Sequence, residues 1–318
     1  MHHNDDSFAA MLLTLTLTPD KDEIVRPLTT AEFSRLAVRA ATAKGRSIGS
    51  LIGMDMSGIL DALDCTEDEA YRICMLLNRA MPLSYALEKF SSEGIEIVTR
   101  FNDEYPARLS EKLEQAAPAA FYLSGNPHVL SCPLIAILGV SGVKLPGNAE
   151  QQVRCLIEQA RRAGYGVVSG GEPGIDRLAA IAAREAGIPY VDVLGGDMIR
   201  HCESSPIREM RAEDRCAVIG TLHPEALFTV GHAIARCKLI YALSSAAFVF
   251  NTDGKRGEGE ALKNRYCEGL YVWDIPQPAA NRQLVTKGAI PVQDFEQLRF
   301  DRLSANWKMA QAEQLRFF

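Results

Sequence analysis

From residue 133 onward, short apolar runs alternate with longer stretches in which apolar residues recur every three or four positions. The short runs predict buried strands, and the periodic stretches predict amphipathic helices. Their alternation is typical of a parallel sheet flanked by helices, so the predicted fold class is α/β. The predicted strands are 134–138, 166–169, 190–194, 217–220, 247–250 and 270–273. The predicted helices are 149–163, 175–186, 205–213, 230–243 and 259–266.

Segment 1–90 follows a helical pattern instead. Thr29 with Glu32, and Thr66 with Glu69, fit the capping box, in which each side chain accepts a backbone N–H group of the other residue. We therefore predict a small all-helical N-terminal domain at 1–90, a sheet-containing domain at 91–300 and a C-terminal helical tail at 301–318. No ionisable cluster stands out in the N-terminal domain, so its residues leave its role open.

Composition narrows the classes of function. The 318 residues, 47% of them hydrophobic, are enough for a full core and a second, smaller one. A net charge of −6 argues against a diffuse basic surface, so any nucleic-acid site must be local. Eight cysteines without a Cys-x-x-Cys pair predict reduced thiols and no bound metal. The apolar run at 11–17 is too short for a membrane span, so we expect a cytoplasmic protein without a membrane partner.

The candidate binding residues lie in the loops that follow the strands, which is where parallel sheets bind ligands. After the first strand, Gly139 and Gly142 would let the backbone approach a phosphate, with Ser141 and Lys144 beside it. The spacing is Gly-x-x-Gly, and the next strand does not end in the acidic residue of a dinucleotide site. The P-loop pattern is also missing, and we therefore predict no cofactor.

The second loop is the most distinctive stretch of the chain. Its glycines either form a nest of N–H groups for an anion or serve only a tight turn, with Asp176 at the start of a helix. Two pairs of basic residues come later: Arg236 with Lys238, and Lys255 with Arg256. The second pair would either clamp a phosphate or lie in a mobile surface turn. The candidates of the second loop are Ser169, Gly170, Gly171, Gly174 and Asp176.

These residues resemble the DprA/Smf DNA-processing family over about residues 90 to 295. The element at 168–176, Val-Ser-Gly-Gly-Glu-Pro-Gly-Ile-Asp, carries the resemblance, and the stretch from Phe228 to Ser244 is similar to a helix of that family containing Arg-Asn-Arg. Further matching elements are Tyr105-Pro106, Tyr122-Leu123-Ser124-Gly125, Ile137-Leu138-Gly139 and Lys287-Gly288-Ala289.

The resemblance implies an extended Rossmann-like domain that binds single-stranded DNA, self-associates and helps to load a RecA-type recombinase in DNA uptake, recombination or repair. Under this hypothesis the protein is a non-catalytic DNA-binding protein, and the sequence leaves catalytic activity open. Two departures stand out: an arginine expected after the first strand is absent, and Cys237 and Lys238 replace the Asn-Arg of the helix. By position, the DNA-facing candidates are Ser141, Ser169, Gly170, Gly171, Gly174, Asp176, Arg236 and Lys238.

Two other hypotheses remain open. In the first, the protein senses or hydrolyses a nucleotide or a nucleotide-derived signal in defence or regulation. Gly257, Gly259 and Glu260 resemble part of a motif of lysine-decarboxylase-like nucleotide phosphoribohydrolases, and Glu260 or Asp176 would then be the acid or base. In the second, the chain is an interaction module without chemistry.

Overall fold

The structure is a computed structural model that describes residues 2–18, 24–44, 46–143, 145–298 and 300. The chain divides into two compact units. Unit 1 comprises Met1–Ser124 and Gly220–Leu227, and unit 2 comprises Gly125–Ile219 and Phe228–Phe318. The predicted helical tail at 301–318 lies outside the described residues, as does Lys144.

Unit 1 contains the helical N-terminal region. Both capping boxes are confirmed: the Glu69 N–H donates to Thr66 Oγ1 and the Thr66 N–H to Glu69 Oε2, each at 3.3 Å, and Thr29 and Glu32 repeat the arrangement. Strands β1 (Ile95–Thr99) and β2 (Ala120–Gly125) pair antiparallel. The predicted boundary at residue 90 falls inside this unit. Its helices are α1 (Asp5–Thr14), α2 (Thr30–Lys44), α3 (Met56–Leu63), α4 (Glu67–Leu77), α5 (Ala80–Ser92) and α6 (Ala107–Leu113).

Unit 2 is built on the predicted parallel sheet. In the described part of the chain its strand order is β6-β5-β4-β3-β7-β8-β9. The pairings β5–β4, β4–β3, β3–β7, β7–β8 and β8–β9 are all parallel. The strands are β3 (Leu134–Gly139), β4 (Gly166–Ser169), β5 (Tyr190–Leu194), β6 (Cys216–Gly220), β7 (Ala246–Asn251), β8 (Gly269–Trp273) and β9 (Ile290–Val292).

The helices of unit 2 cover this sheet. They are α7 (Ala149–Arg162), α8 (Ile175–Ala186), α9 (Met198–Cys202), α10 (Ile207–Ala212), α11 (Val230–Leu243), α12 (Glu258–Asn264) and α13 (Ala279–Thr286). Helices α7 and α8 pack on each other and on the sheet, and α11 packs on β3, β4 and β5. The α/β fold class, with an extended Rossmann-like sheet and a helical N-terminal region, is therefore confirmed.

The structure differs from the predicted elements at several places, among them α12, which begins at Glu258 and ends at Asn264 where 259–266 was predicted. The helix predicted at 205–213 begins at Ile207 and ends at Ala212, with Pro206 at its N-cap position. Helix α9 was missed since it is only five residues long. Helix α13, which follows Pro276 and Pro278, and β9, which is three residues long and contains Pro291, were missed because they are short. Within the described residues, no helix has the length and apolar character required to cross a bilayer.

The order of the strands in the sheet of unit 2 locates the candidate binding site. β3 has β4 on one side and β7 on the other, so the chain changes direction across the sheet at this strand. In open parallel sheets a crevice forms at such a switch point, outside the carboxyl ends of the strands. The loops after β3, β4, β5 and β7 therefore meet at one edge of unit 2.

Candidate nucleic-acid interface

A buried ion cluster lies at this edge. Glu172, in the loop after β4, accepts hydrogen bonds through Oε1 from Arg236 NH2 at 2.6 Å and from Arg256 NH1 at 2.9 Å. Its other oxygen, Oε2, lies 3.2 Å from the Ser141 hydroxyl, which donates to it from the loop after β3. The Glu172 side chain is 6% exposed, and those of Arg236 and Arg256 are 4% and 12% exposed. The Glu172 carboxylate, itself in the loop after β4, thus connects residues of the loops after β3 and β7 with a residue of α11.

Arg236 reaches the cluster from the buried side of α11. Its NH1 group also donates to the carbonyl oxygens of Gly170 and Val193, which lie at the ends of β4 and β5. Through these hydrogen bonds, the Arg236 guanidinium fixes the loop after β4 to the end of β5. Arg236, expected to face DNA, is therefore inside the protein, and Lys238, two residues further along α11, is half-buried.

The loop after β7 is closed by a second carboxylate. Glu258 is 1% exposed, and it accepts hydrogen bonds from the Thr252 hydroxyl and, at 2.8 Å, from the backbone N–H of Arg256. These contacts hold Arg256 toward Glu172, while Lys255 remains exposed. Glu260, the acid or base of the hydrolase hypothesis, is exposed and accepts a hydrogen bond from the Tyr266 hydroxyl at 2.9 Å.

Asp176 is 2% exposed at the start of α8 and connects two loops. Its Oδ1 accepts the N–H of Gly139 at 3.1 Å, and its Oδ2 accepts the N–H of Glu172 at 3.3 Å. Burial raises the pKa of the Asp176 carboxyl to about 7; Arg236 opposes the rise, while Glu172 and Asp192 add to it. Asp176 therefore bonds the backbone of two loops that were expected to face DNA.

A second polar group lies on β5. Asp192 is 0% exposed, and it accepts hydrogen bonds from the Tyr190 hydroxyl and from His201 Nε2, each at 2.7 Å. Burial raises the pKa of Tyr190 well above its ordinary value, and Asp192 adds to the rise, so the hydroxyl stays a donor. The carboxylate consequently fixes the orientation of the His201 ring.

Beside these groups is a cavity of about 370 Å³, a size typical of small-ligand sites. Two arginines on its wall, Arg177 and Arg200, are exposed, and neither guanidinium makes a hydrogen bond or ion pair within the described part of the chain. Phe228 also lines the cavity and is 42% exposed. The cavity thus combines free cations and an aromatic ring with Glu172, Asp176, Asp192 and His201.

The remaining candidate residues fall into two groups. The Ser169 hydroxyl is buried and donates to the carbonyl of Ile137 at 2.7 Å. Gly142 and Gly174 are exposed, and at each of them an added Cβ would meet no atom within 4 Å. Gly174 has φ +101°, which favours glycine, and it caps the start of α8. The structure therefore leaves Gly142 and Gly174 open, packs Gly139, Gly170 and Gly171 closely against neighbouring residues and turns most candidate side chains inward.

Gly170 makes room for the ion cluster. A Cβ at this position would lie 2.6 Å from Arg236 NH2 and 2.7 Å from Asp176 Oδ2. We expect Gly170→Ala to lower the free energy of unfolding by about 1–3 kcal/mol, the usual cost of overpacking a filled interior. Urea unfolding measures this, with Gly147→Ala as the control, since Gly147 is exposed, its added Cβ would meet no atom within 4 Å and its φ is not in the left-handed region. If Gly170→Ala were as stable as the wild type, the side chains of the ion cluster would be able to shift at little cost in free energy.

The sequence analysis missed four functional side chains: Glu172, Asp192, Arg177 and Arg200. One signal was present, because Asp192 is the only charged residue in the apolar strand 190–194, and a charge in a buried strand needs a partner. Its partner, His201, lies nine residues further along the chain. Nothing in the sequence distinguished the paired arginines from the unpaired ones.

Comparison with known proteins agrees with this architecture. DNA processing protein A of Streptococcus pneumoniae is similar in fold, with a TM-score of 0.63 and 17% identity over 94% of this chain and 100% of that chain. DNA processing protein A of Helicobacter pylori, whose single-stranded DNA binding mode has been described structurally, matches with a TM-score of 0.49 and 16% identity over 68% of this chain and 96% of that chain. No curated protein matches the chain.

The family of DNA recombination-mediator protein A matches residues 96–301. This range covers more than half of the chain and includes all the residues of the ion cluster and the cavity. The protein therefore belongs to the DNA recombination-mediator protein A family of DNA-processing proteins.

Proposed function

We propose that the protein binds single-stranded DNA at the edge of unit 2 and assists the loading of a RecA-type recombinase. Membership of a recombination-mediator family supports both parts. The net charge of −6 requires a local site, and the cavity edge supplies one.

The observation that carries the DNA-binding proposal is the combination of Arg177, Arg200 and Phe228 around one cavity. Proteins that bind single strands neutralise phosphates with basic side chains and stack bases on aromatic rings, each stacked base contributing about 1–3 kcal/mol. Both guanidinium groups are exposed and unpaired among the described residues, so they can bind phosphate without first breaking an ion pair. We propose that the strand also passes Lys255 and the open glycines of the loops after β3 and β4.

The test is binding of a labelled oligo-dT by fluorescence anisotropy across a range of salt concentrations. We expect Arg177→Ala with Arg200→Ala to weaken binding by about tenfold or more at low salt. Losing two phosphate contacts should also reduce the slope of log affinity against log salt by about 1.4, since each contact on a single strand contributes about 0.7.

The control removes two exposed positive charges that do not line the cavity, with Lys263→Ala and Arg282→Ala. These changes alter the net charge equally, so they should reproduce only the small general effect of charge. Equal loss of affinity in both double variants would contradict a local site. Absence of binding by the wild type at low salt would contradict the DNA proposal as a whole.

Recombinase loading and self-association form the second part of the proposal. The family description supports loading. A strand-exchange assay with a RecA-type protein on strands covered by single-strand-binding protein tests it, and no stimulation would contradict it. Sedimentation velocity tests self-association, which the resemblance implies.

One observation favours a second function, a nucleotide pocket. The cavity holds buried carboxylates and a histidine fixed by Asp192, which suits ribose or base recognition and general base chemistry better than a strand passing over a surface. Titration calorimetry with nucleoside mono- and diphosphates distinguishes the two functions. Tight binding of a mononucleotide with no binding of oligo-dT would favour the pocket.

A further inference from the structure

We propose that Glu172 decides which arginines of this chain are available to DNA, because its carboxylate occupies the place at which Arg236 and Arg256 would hold a phosphate. The inference rests on the proposed function, single-stranded DNA binding at the same edge, and it assigns to Glu172 the selection of the phosphate-binding cations.

The geometry of the cluster carries the inference. A single oxygen, Glu172 Oε1, accepts from two guanidinium groups at 2.6 and 2.9 Å, and the Ser141 hydroxyl donates to the second oxygen at 3.2 Å. Two guanidinium groups and a hydroxyl around one anion form the arrangement that also binds a phosphate. Here the anion belongs to the chain itself.

The arginine pair carries more donors than Glu172 uses. The Nε atoms of Arg236 and Arg256 are buried and have no acceptor among the described residues. A phosphate offers more oxygens than a carboxylate, so it would compete well for these groups if it could reach them. Glu172 is part of the chain, and its side chain is 6% exposed. Its carboxylate is therefore held beside the two arginines and excludes an external anion from that position.

Arg256 is the arginine that Glu172 most directly keeps from solvent. It lies in the loop after β7 and is 12% exposed, whereas Arg236 is anchored by two carbonyl oxygens inside the sheet edge. Without the carboxylate charge, Arg256 is free to turn outward while Arg236 stays in place. DNA in the wild type then meets Arg177 and Arg200, and Arg256 contributes only after Glu172 is neutralised.

The experiment is a double-mutant cycle with Glu172→Gln and Arg256→Ala, measured by oligo-dT anisotropy at several salt concentrations. Glu172→Gln keeps the size of the side chain and removes its charge. We expect it to raise affinity about three- to tenfold and to steepen the salt slope by about 0.7, as one added phosphate contact does. Arg256→Ala should leave wild-type affinity unchanged within about twofold, yet abolish the gain in the Glu172→Gln background.

A matched control separates this effect from a general loss of negative charge. Asp197→Asn removes one carboxylate from the same cavity wall, but the Asp197 carboxylate pairs with no arginine among the described residues and accepts only the Phe228 N–H, at 3.4 Å. It should raise affinity less than Glu172→Gln, and Arg256→Ala should not reverse its effect. An equal gain, or a gain insensitive to Arg256→Ala, would overturn the inference.

The outcomes also distinguish this inference from the proposed function. Equal oligo-dT binding by the wild type and Glu172→Gln overturns the inference and leaves the function in place. No binding by either protein overturns both. If Glu172→Gln does not fold, the single variant Arg256→Ala still decides: a loss of affinity as large as that of Arg177→Ala would show that Arg256 already meets DNA.

Discussion

Replacing Arg236 by alanine is expected to lower the free energy of unfolding by about 3–5 kcal/mol, the usual cost of removing one partner of a buried ion pair. The change leaves Glu172 buried with a single guanidinium, and it removes the donor shared by the carbonyl oxygens of Gly170 and Val193. This is a structural role, although the sequence suggested a contact to phosphate. The loss should appear in urea unfolding and in melting temperature with no DNA present.

Lys238→Ala is the matched control, since Lys238 lies on the same helix, is half-buried and forms no ion pair among the described residues. We expect it to change stability by less than about 0.5 kcal/mol, as is usual for substitutions away from buried pairs. If Arg236→Ala were as stable as Lys238→Ala but bound oligo-dT more weakly, Arg236 would be a DNA ligand after all.

The second large effect concerns pH. The pKa of the Asp176 carboxyl rises from an ordinary value of 3.8 to about 7 in the folded protein. Between these two values the folded chain binds more protons than the unfolded chain, so the free energy of unfolding falls as the pH rises. The stabilising contribution of protonated Asp176 is complete below about pH 4 and is lost above about pH 7. At about 1.4 kcal/mol for each pKa unit, a rise of about three units corresponds to a change on the order of 4 kcal/mol across this range.

Asp176→Asn removes this titration while keeping an oxygen for the Gly139 N–H. Urea unfolding at pH 5, 6, 7 and 8 should therefore show a smaller decline with pH for the variant than for the wild type, because only the wild type releases this proton. Parallel curves for the two proteins would mean that Asp176 is already ionised at pH 5.

These expectations follow from how an acidic chain arranges charge at its functional edge. Arg236 and Arg256 are neutralised from within by Glu172, whereas Arg177 and Arg200 remain exposed on the cavity wall. Pairing with Glu172 stabilises the loops, but it leaves the positive charges of Arg236 and Arg256 neutralised and unavailable at the surface. The exposed pair is therefore the part of the site that should respond most to ionic strength.

Sequence alone was enough for many of the elements and for the family. Strands 166–169 and 190–194 and helices 175–186 and 230–243 have the predicted bounds. Each depends on features within a few residues: an apolar run, a glycine, proline or threonine at the start, and a glycine or serine at the end. The sequence of the element at 168–176 likewise indicated the DNA-processing family, and the family match over residues 96–301 confirmed it.

The direction in which each charged side chain points was decided only by the tertiary structure. Arg236 and Glu172 are 64 residues apart, and Arg256 and Glu172 are 84 apart, so their meeting depends on β4 and β7 lying on either side of β3. Local sequence sets backbone preferences through nearby residues, whereas burial and ion pairing depend on strand order across the whole sheet. The sequence therefore determined where the loops of the site begin, and the fold determined which arginines near them have no partner among the described residues.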